Sequence, residues 1–254
     1  MDKYLLSDYT TYELQNVINK KDPIIIIPVG ALEQHGAHLP LDTDMDLVEK
    51  VAKSLAENCI QDIIVTPTVW TGFSHHHLDF CGTISIRQKT MVYVITDIVE
   101  SLLKHKINKI ILLNGHGGNI SILKTILDEI QLKYKNLQMV YFTYWDLLSD
   151  KIDEIRQSPV NGMAHAGELE TSLKYYFNED DVRRDSIQDV MLPVQPFHNV
   201  DMFAPNKISI YKPFESYSKG GQIGKPSVAN KETGKKIVEN LCKEFSDLIN
   251  FYFV

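Results

Sequence analysis

Glu33 and His35 stand two residues apart, directly after the first long apolar run of the sequence. In extended backbone, side chains at this spacing point to the same side. Joined by a carboxylate from Asp42, Asp44 or Asp46, they would supply the mixed oxygen and nitrogen ligands that suit zinc or manganese. The alternative is a surface loop in which one aspartate caps the following helix. The residue types alone leave both interpretations open.

A single histidine, His116, lies among three glycines in the stretch NGHGGN, which follows another apolar run. A dinucleotide-binding loop would read Gly-x-Gly-x-x-Gly and a P-loop would end in Gly-Lys-Ser/Thr, so neither phosphate-binding motif is present. Glycines let the backbone bend sharply, and a histidine held there can project toward the point that Glu33 and His35 face. The alternative is a histidine packed against the next helix.

His165 and Glu168 lie three residues apart in the stretch HAGELETS, which leads into a predicted helix. This spacing brings the two side chains close enough to serve one site. An ordinary helix start is the alternative, because a glutamate in the first turn is stabilised by the helix dipole.

Three consecutive histidines occur in the stretch GFSHHH. Neighbouring side chains point apart, so the three are not expected to bind one metal together. We expect a loop that lines a substrate pocket, to which Ser74 and His77 contribute. A solvated histidine run is the alternative.

The overall composition limits the class of protein. The chain has 254 residues and a net charge of −7, which argues against a nucleic-acid partner, since phosphate binding requires a basic face. Three widely spaced cysteines fit a reducing compartment. No apolar run approaches the roughly 20 residues that span a bilayer, and the first residues lack a signal peptide's apolar core. We therefore expect a cytoplasmic protein without a membrane partner.

Apolar runs and helical patterns alternate along the chain, which predicts an α/β fold with a mostly parallel sheet covered on both faces. Strands are predicted at residues 24–30, 62–67, 109–115 and 138–145, and helices at residues 45–58, 88–106, 120–134, 168–176 and 231–251. A Thr10-x-x-Glu13 capping box predicts a further helix start. The irregular stretch 180–224 contains too little core to stand alone, so residues 1–254 are predicted to form one domain. The candidate residues follow the strands, and ligands bind at the carboxyl ends of such strands.

Together these stretches resemble the creatininase (creatinine amidohydrolase) family. The resemblance covers most of the chain and rests on the order of five segments: PVGALEQHGAHLPLDTD, GFSHHHLDFCGTISI, NGHGGN, HAGELETS and GQIGKPSVANKETG. It implies a three-layer α/β/α domain and a homo-oligomer, often a hexamer. It also implies hydrolysis of C–N bonds in cyclic or linear amides with two divalent metals.

The resemblance assigns roles to individual residues. Glu33 and His116 would bind one metal, His35 would bind the other, and Asp44 would bridge the two. His165 would contact the substrate and carry a proton, with Glu170 behind it as a partner.

Two glycines depart from the pattern of creatininase. Gly118 stands where creatininase has a glutamate that binds the second metal, and we expect Glu168 to replace that carboxylate as both metal ligand and catalytic group. Gly117 stands where creatininase has an aromatic side chain next to the substrate. The pocket is therefore altered on the side that contacts the substrate, which argues against creatinine itself.

The resemblance thus predicts a binuclear metal-dependent amidohydrolase that attacks a small amide with a metal-bridging hydroxide. The metals expected are Zn²⁺ or Mn²⁺, with Fe²⁺ as an alternative. A formamide deformylase, a peptide-trimming hydrolase or a hydrolase of a cyclic ketone remains open as an enzyme. A non-catalytic metal-binding scaffold is the alternative from another class.

Overall fold

The computed structural model describes residues 3–253, and its centre is a four-stranded parallel sheet. The strands are β1 (Ile24–Val29), β2 (Ile63–Val65), β3 (Lys109–Asn114) and β4 (Gln138–Thr143), in the order β2-β1-β3-β4. Every residue of β1 is buried, as its uninterrupted apolar run predicts for a strand covered on both faces. All four predicted strands are confirmed.

Seven α-helices occur within the described residues: α1 (Thr11–Lys21), α2 (Thr43–Glu57), α3 (Gln88–Lys104), α4 (Ile120–Lys133), α5 (Ile152–Ile155), α6 (Glu168–Phe177) and α7 (Lys231–Tyr252). The capping box at Thr10 and Glu13 is present at the start of α1. None of these helices combines the length and the apolar character that a membrane crossing requires.

The helices form one layer on each face of the sheet. Ile24 and Ile26 of β1 pack with α2 and α7, whereas Ile25 and Ile27 pack with α3 and α4 on the opposite face. This alternation follows from the two-residue period of a strand. The predicted three-layer α/β/α fold is confirmed.

The irregular stretch between α6 and α7 folds over the carboxyl ends of the strands. It contains short 3₁₀ turns and is held to the rest of the chain by backbone hydrogen bonds, among them Met202 N–H to Met163 O at 2.9 Å and Ile223 N–H to His165 O at 2.8 Å. These bonds place residues 190–224 beside the segments that carry the candidate site.

A buried lysine links α6 to α2. The Lys174 side chain is fully buried, and its Nζ lies 2.6 Å from Asp46 Oδ2 and 3.2 Å from Asp181 Oδ2. Replacing Lys174 by methionine is expected to lower the free energy of unfolding by about 1–3 kcal/mol, because Asp181 loses its lysine partner and Asp46 keeps Lys50 alone. Urea unfolding measures the change. The matched control is Lys53→Met, whose partly exposed pair with Glu49 should contribute less than about 1 kcal/mol.

Candidate functional site

The candidate ligands come from three places that the sheet brings together. Glu33 and His35 follow β1, His116 follows β3, and Asp44 lies in the first turn of α2. A Cβ at Gly30 would lie 2.6 Å from the Cα of Met45, so only a glycine allows the start of α2 to approach the end of β1 this closely. The carboxyl edge of the parallel sheet thus positions the group, as the sequence predicts.

Asp44 lies between two histidines and presents a different oxygen to each. Its Oδ1 is 3.1 Å from His35 Nε2, and its Oδ2 is 3.0 Å from His116 Nδ1. All three side chains are buried. A carboxylate in this position has the geometry required to bridge two cations.

Backbone carbonyls orient the two histidine rings. His35 Nδ1 lies 3.1 Å from the carbonyl oxygen of Glu33, and His116 Nε2 lies 3.1 Å from that of Phe73. A carbonyl only accepts, so each of these nitrogens carries the hydrogen. In the neutral ring, the nitrogen that faces Asp44 is then free to bind a metal.

Glu33 is a fully buried carboxylate that protein groups do not satisfy. Within residues 3–253, neither of its oxygens accepts a hydrogen bond, and burial raises its pKa to about 7. Its Oε2 lies 3.4 Å from His116 Nε2. A buried polar group without a partner is costly, and a cation beside these oxygens would remove that cost. The donor set therefore fits a metal.

Glu170 supplies a third carboxylate on the side of His35. Its Oε1 lies 3.8 Å from His35 Nε2, and its Oε2 accepts a hydrogen bond from the backbone N–H of Ala166. One ligand atom each from His35, His165 and Glu170 lies within 4.8 Å of the others. The structure thus places Glu170, expected to act only behind His165, among the candidate ligands.

Glu168 lies elsewhere, which corrects the prediction that it replaces the missing carboxylate and acts in catalysis. Its Oε1 accepts the backbone N–H of Gln157 and its Oε2 that of Ser158, both at 2.7 Å. Glu168 and Glu170 are about 200° apart around the axis of α6, so they face nearly opposite sides. Glu168 therefore holds a loop in place, and Glu170 faces the candidate ligands.

His165 faces Glu33 with one nitrogen and is oriented by the other. Its Nε2 lies 2.7 Å from the carbonyl oxygen of Gln34 and donates to it, while its Nδ1 lies 3.6 Å from Glu33 Oε1. Burial lowers the pKa of His165 well below its usual range, so the ring is neutral at pH 7. Its Nδ1 is then free to accept a proton.

The Gln34 side chain fixes the tautomer of His77. Gln34 Oε1 accepts the backbone N–H of Gly36, which identifies Nε2 as the donor to His77 Nδ1 at 2.8 Å and to Gly221 O at 3.0 Å. Burial lowers the pKa of His77, so the ring is neutral and its hydrogen is on Nε2, 3.2 Å from Glu33 Oε1. We therefore interpret His77 as a hydrogen-bond donor into the pocket.

Gln34→Met is expected to remove the preference of His77 for the tautomer with its hydrogen on Nε2, because methionine cannot donate a hydrogen bond to His77 Nδ1. Two-bond proton–nitrogen correlation spectra of histidine-labelled protein distinguish the two tautomers. We expect His77 to carry its hydrogen on Nε2 in the native chain and to populate both tautomers in the variant. The exposed His105 is the internal reference. An unchanged His77 tautomer in the variant would contradict the role of Gln34.

A pocket of about 250 Å³ opens beside the candidate ligands. Apolar and aromatic side chains form part of its wall: Trp145, Val200, Met202, Phe214 and Ile223. The Phe214 ring lies over the His77 ring, with 3.9 Å between their centroids. Sequence reasoning missed Gln34, His76, Trp145 and Phe214; Gln34 and His76 stand inside the quoted motifs, whereas no periodic pattern marks Phe214.

The three residues expected to contact the substrate, Ser74, His77 and Gly117, do not all line the pocket. His77 and Gly117 line the pocket, and a Cβ at Gly117 would meet no atom within 4 Å. Ser74 instead lies against His116, with 3.3 Å between Oγ and Nε2, and it is not among the residues that line the pocket. A Cβ at Gly118 would lie 2.2 Å from Phe73 O, so this position has no room for the carboxylate that creatininase has there.

The family model for creatinine amidohydrolases matches residues 7–249. This chain belongs to the creatininase family. Creatinine amidohydrolase from Pseudomonas putida is 27% identical over 98% of this chain and 96% of its own length. A mycofactocin precursor peptide peptidase from Mycolicibacterium smegmatis is 30% identical over 72% of this chain and 67% of its own length. A formylaminopyrimidine deformylase from Methanothermus fervidus is 30% identical over 68% of this chain and 64% of its own length.

Solved creatininase structures share the fold over nearly the whole chain. A tryptophan-to-phenylalanine mutant of creatininase has a TM-score of 0.86 at 24% identity, and a creatininase described as the Mn form has 0.82 at 26% identity. Each covers 99% of this chain and is itself covered to 99%. The creatininase family is thus shown by sequence and by fold, and family members act on different substrates.

Proposed function

We propose that this chain is a hydrolase that cleaves a C–N bond of a small cyclic or linear amide with two divalent cations bound per chain. One observation carries the proposal: Asp44 directs its two oxygens at two buried histidines on opposite sides. Glu33 adds a buried carboxylate beside His116, and Glu170 adds one beside His35. Donor atoms of Glu33, His35 and Asp44 also lie within 4.8 Å of one another, and a single metal held there would leave Glu170 without a cation.

The ligands would divide into two sets that share Asp44. Glu33 and His116 would hold one cation, and His35 and Glu170 the other. Carboxylate and imidazole ligands suit Zn²⁺ and Mn²⁺, and solved creatininases described as Mn and as Zn-Zn type support this choice. Divalent metals in such sites lower the pKa of a bound water and polarise a carbonyl.

The surrounding residues would bind the amide and move its protons. His77, with its hydrogen held on Nε2, would donate to the amide carbonyl oxygen. His165 would accept a proton on Nδ1 from the water that attacks the amide carbon and donate it to the leaving nitrogen as the C–N bond breaks, while its Nε2–H stays bound to the Gln34 carbonyl. Phe214 would cover the amide on the side opposite the carboxylates.

The identity of the amide is a separate question from the reaction class. Relatives are named as a creatinine amidohydrolase, a peptidase and a deformylase. The free space above Gly117 favours a substrate other than creatinine, because an aromatic group that would close the pocket is missing there.

Metal analysis combined with a substrate panel tests the proposal. Purified protein should contain about two equivalents of divalent metal per chain by mass spectrometry. Chelation should abolish turnover on a panel of lactams, hydantoins, formamides and short peptides, and Zn²⁺ or Mn²⁺ should restore it. Protein that binds no metal, or that turns over equally after chelation, would contradict the proposal.

Metal binding is expected to release protons. Burial opposes the charged form of His116, but Glu33 and Asp44 outweigh it and raise its pKa to about 9; Asp44 and Glu170 likewise hold the pKa of His35 well above its usual range. Both rings are therefore protonated at pH 7 without metal, and Glu33, with a pKa of about 7, is about half protonated. Binding should then release about two to three protons, with affinity rising toward pH 9. Calorimetry of Zn²⁺ binding in buffers of different ionisation enthalpy measures the number. A binding enthalpy independent of the buffer would contradict it.

A further inference from the structure

The pocket beside the candidate ligands is the first of three adjacent cavities that share lining residues. An outer cleft of about 450 Å³ shares Gly117, Trp145 and Phe214 with that pocket. An apolar chamber of about 390 Å³ shares Ile210, Lys212 and Tyr217 with the outer cleft. The pocket therefore adjoins the cleft, and the cleft adjoins the chamber.

The chamber has the composition of a ligand site. Its wall is formed largely by apolar side chains from the irregular stretch: Leu192, Pro196, Phe197, Val200, Ile208 and Ile210. Phe197 is 57% exposed and Ile208 is 49% exposed, although both border a concave surface. Apolar residues that remain exposed around a cavity of this size are typical of a surface that binds an apolar group.

The cleft between the pocket and the chamber contains one cation without a carboxylate partner in residues 3–253, Lys212, whose Nζ lies 5.3 Å from the centroid of the Tyr217 ring. Nothing lies within 4 Å of a Cβ built on Gly117, so the loop leaves room for a chain to cross. Asp201, the acidic residue in the lining of the cleft, pairs with Arg156 at 2.7 Å. An apolar chain crossing here meets no unpaired carboxylate, in contrast to the acidic candidate metal site.

We propose that the substrate is an amide that carries a long apolar arm, and that the apolar chamber binds this arm while the amide lies at the candidate metal ligands. The inference rests on the proposed amide hydrolase function and adds a second part of the substrate, the apolar arm. Each methylene that leaves water for the chamber should strengthen binding about fourfold. The arm would thereby determine which amide is selected.

A homologous series of hydroxamates tests the chamber. Acetohydroxamate and octanohydroxamate share a metal-binding head group and differ in the length of the apolar chain. Calorimetry on the Zn²⁺-loaded full chain is expected to show that octanohydroxamate binds at least tenfold more tightly. Equal affinities would overturn the proposal. A second copy of the chain that covers the chamber would give this result, and it would overturn the proposal in the same way.

Matched variants test whether the chamber is the source of the tighter binding of octanohydroxamate. Ile210→Asn places a polar group where the cleft meets the chamber, and Ile208→Asn places one in the chamber alone; each is expected to reduce the ratio of the two affinities at least fivefold. Ile60→Asn changes a fully exposed isoleucine outside the lining of all three cavities and should leave the ratio unchanged. A ratio that is the same in Ile210→Asn as in the native chain would overturn the proposal.

The series also separates this inference from the proposed function. Octanohydroxamate that binds in an Ile210-dependent manner while acetohydroxamate does not bind would support the chamber and contradict the metal site. If neither compound binds, both the chamber and the metal site are contradicted. Turnover on the substrate panel and metal content test the hydrolase independently of either result.

Discussion

Glu170→Gln is expected to lose one of the two divalent cations and at least about 100-fold in turnover, whereas Glu168→Gln should keep both cations. Removing a group outside the ligand set typically costs 10–100-fold in metal affinity or activity, and Glu170 lies among the candidate ligands themselves. A neutral amide at position 170 would also leave Asp44 as the one carboxylate within 4 Å of His35 in residues 3–253.

The same change at Glu168 acts on a loop. An amide has one oxygen to offer, so its NH₂ group would face the backbone N–H of Gln157 or Ser158. The expected cost is about 1–3 kcal/mol in the free energy of unfolding, with metal content unchanged. Mass spectrometry of the metals, urea unfolding and turnover of both variants separate the two roles. Loss of a metal in Glu168→Gln together with retention in Glu170→Gln would reverse the assignment of the second carboxylate.

His165→Gly is expected to lower kcat by about 10²–10⁴-fold while two cations remain bound, because the change removes a group that transfers a proton. The ring lies at the wall of the pocket with its Nδ1 toward Glu33. Its removal leaves a space of imidazole size, so added imidazole should restore part of the activity.

The metal content of His165→Gly distinguishes a proton carrier from a ligand. His165 belongs to two groups of side chains close enough to share a cation. Loss of one equivalent of metal would show that His165 binds the metal. The absence of any rescue by imidazole while both cations remain bound would contradict its role as a proton carrier. His38→Gly is a matched control, since His38 is buried but bonds to Ala166 and Thr171 outside the pocket.

The irregular stretch 190–217 shows where sequence patterns carry little information. Phe214 covers His77, and Ile210 lines the chamber, yet neither belongs to a helix or strand with a hydrophobic period. Their positions depend on bonds to distant residues, such as that of Met202 to Met163. No local pattern could have indicated that this stretch forms a wall of the active site.

The apolar runs were enough to predict the α/β layers, and the residues that follow these runs were enough to propose Glu33, His35 and His116 as candidate ligands. Buried parallel strands have uninterrupted apolar runs, and their carboxyl ends meet at one edge, so residues that follow these runs must come together. The family resemblance added that Asp44, and not Asp42 or Asp46, would be the bridging residue. The structure supports this choice, because Asp44 faces His35 and His116 whereas Asp46 pairs with Lys174.

The tertiary structure was needed to show which of Glu168 and Glu170 faces the candidate ligands. Both stand in the first turn of α6, and their sequence positions are equally compatible with a ligand. The orientation of α6 about its own axis determines which glutamate faces His35, and the burial of Leu169 and Leu173 against α7 fixes that orientation. Glu170 therefore faces His35 and Glu168 faces the loop at Ser158. Once the apolar face of a helix is packed, the directions of all its remaining side chains are fixed.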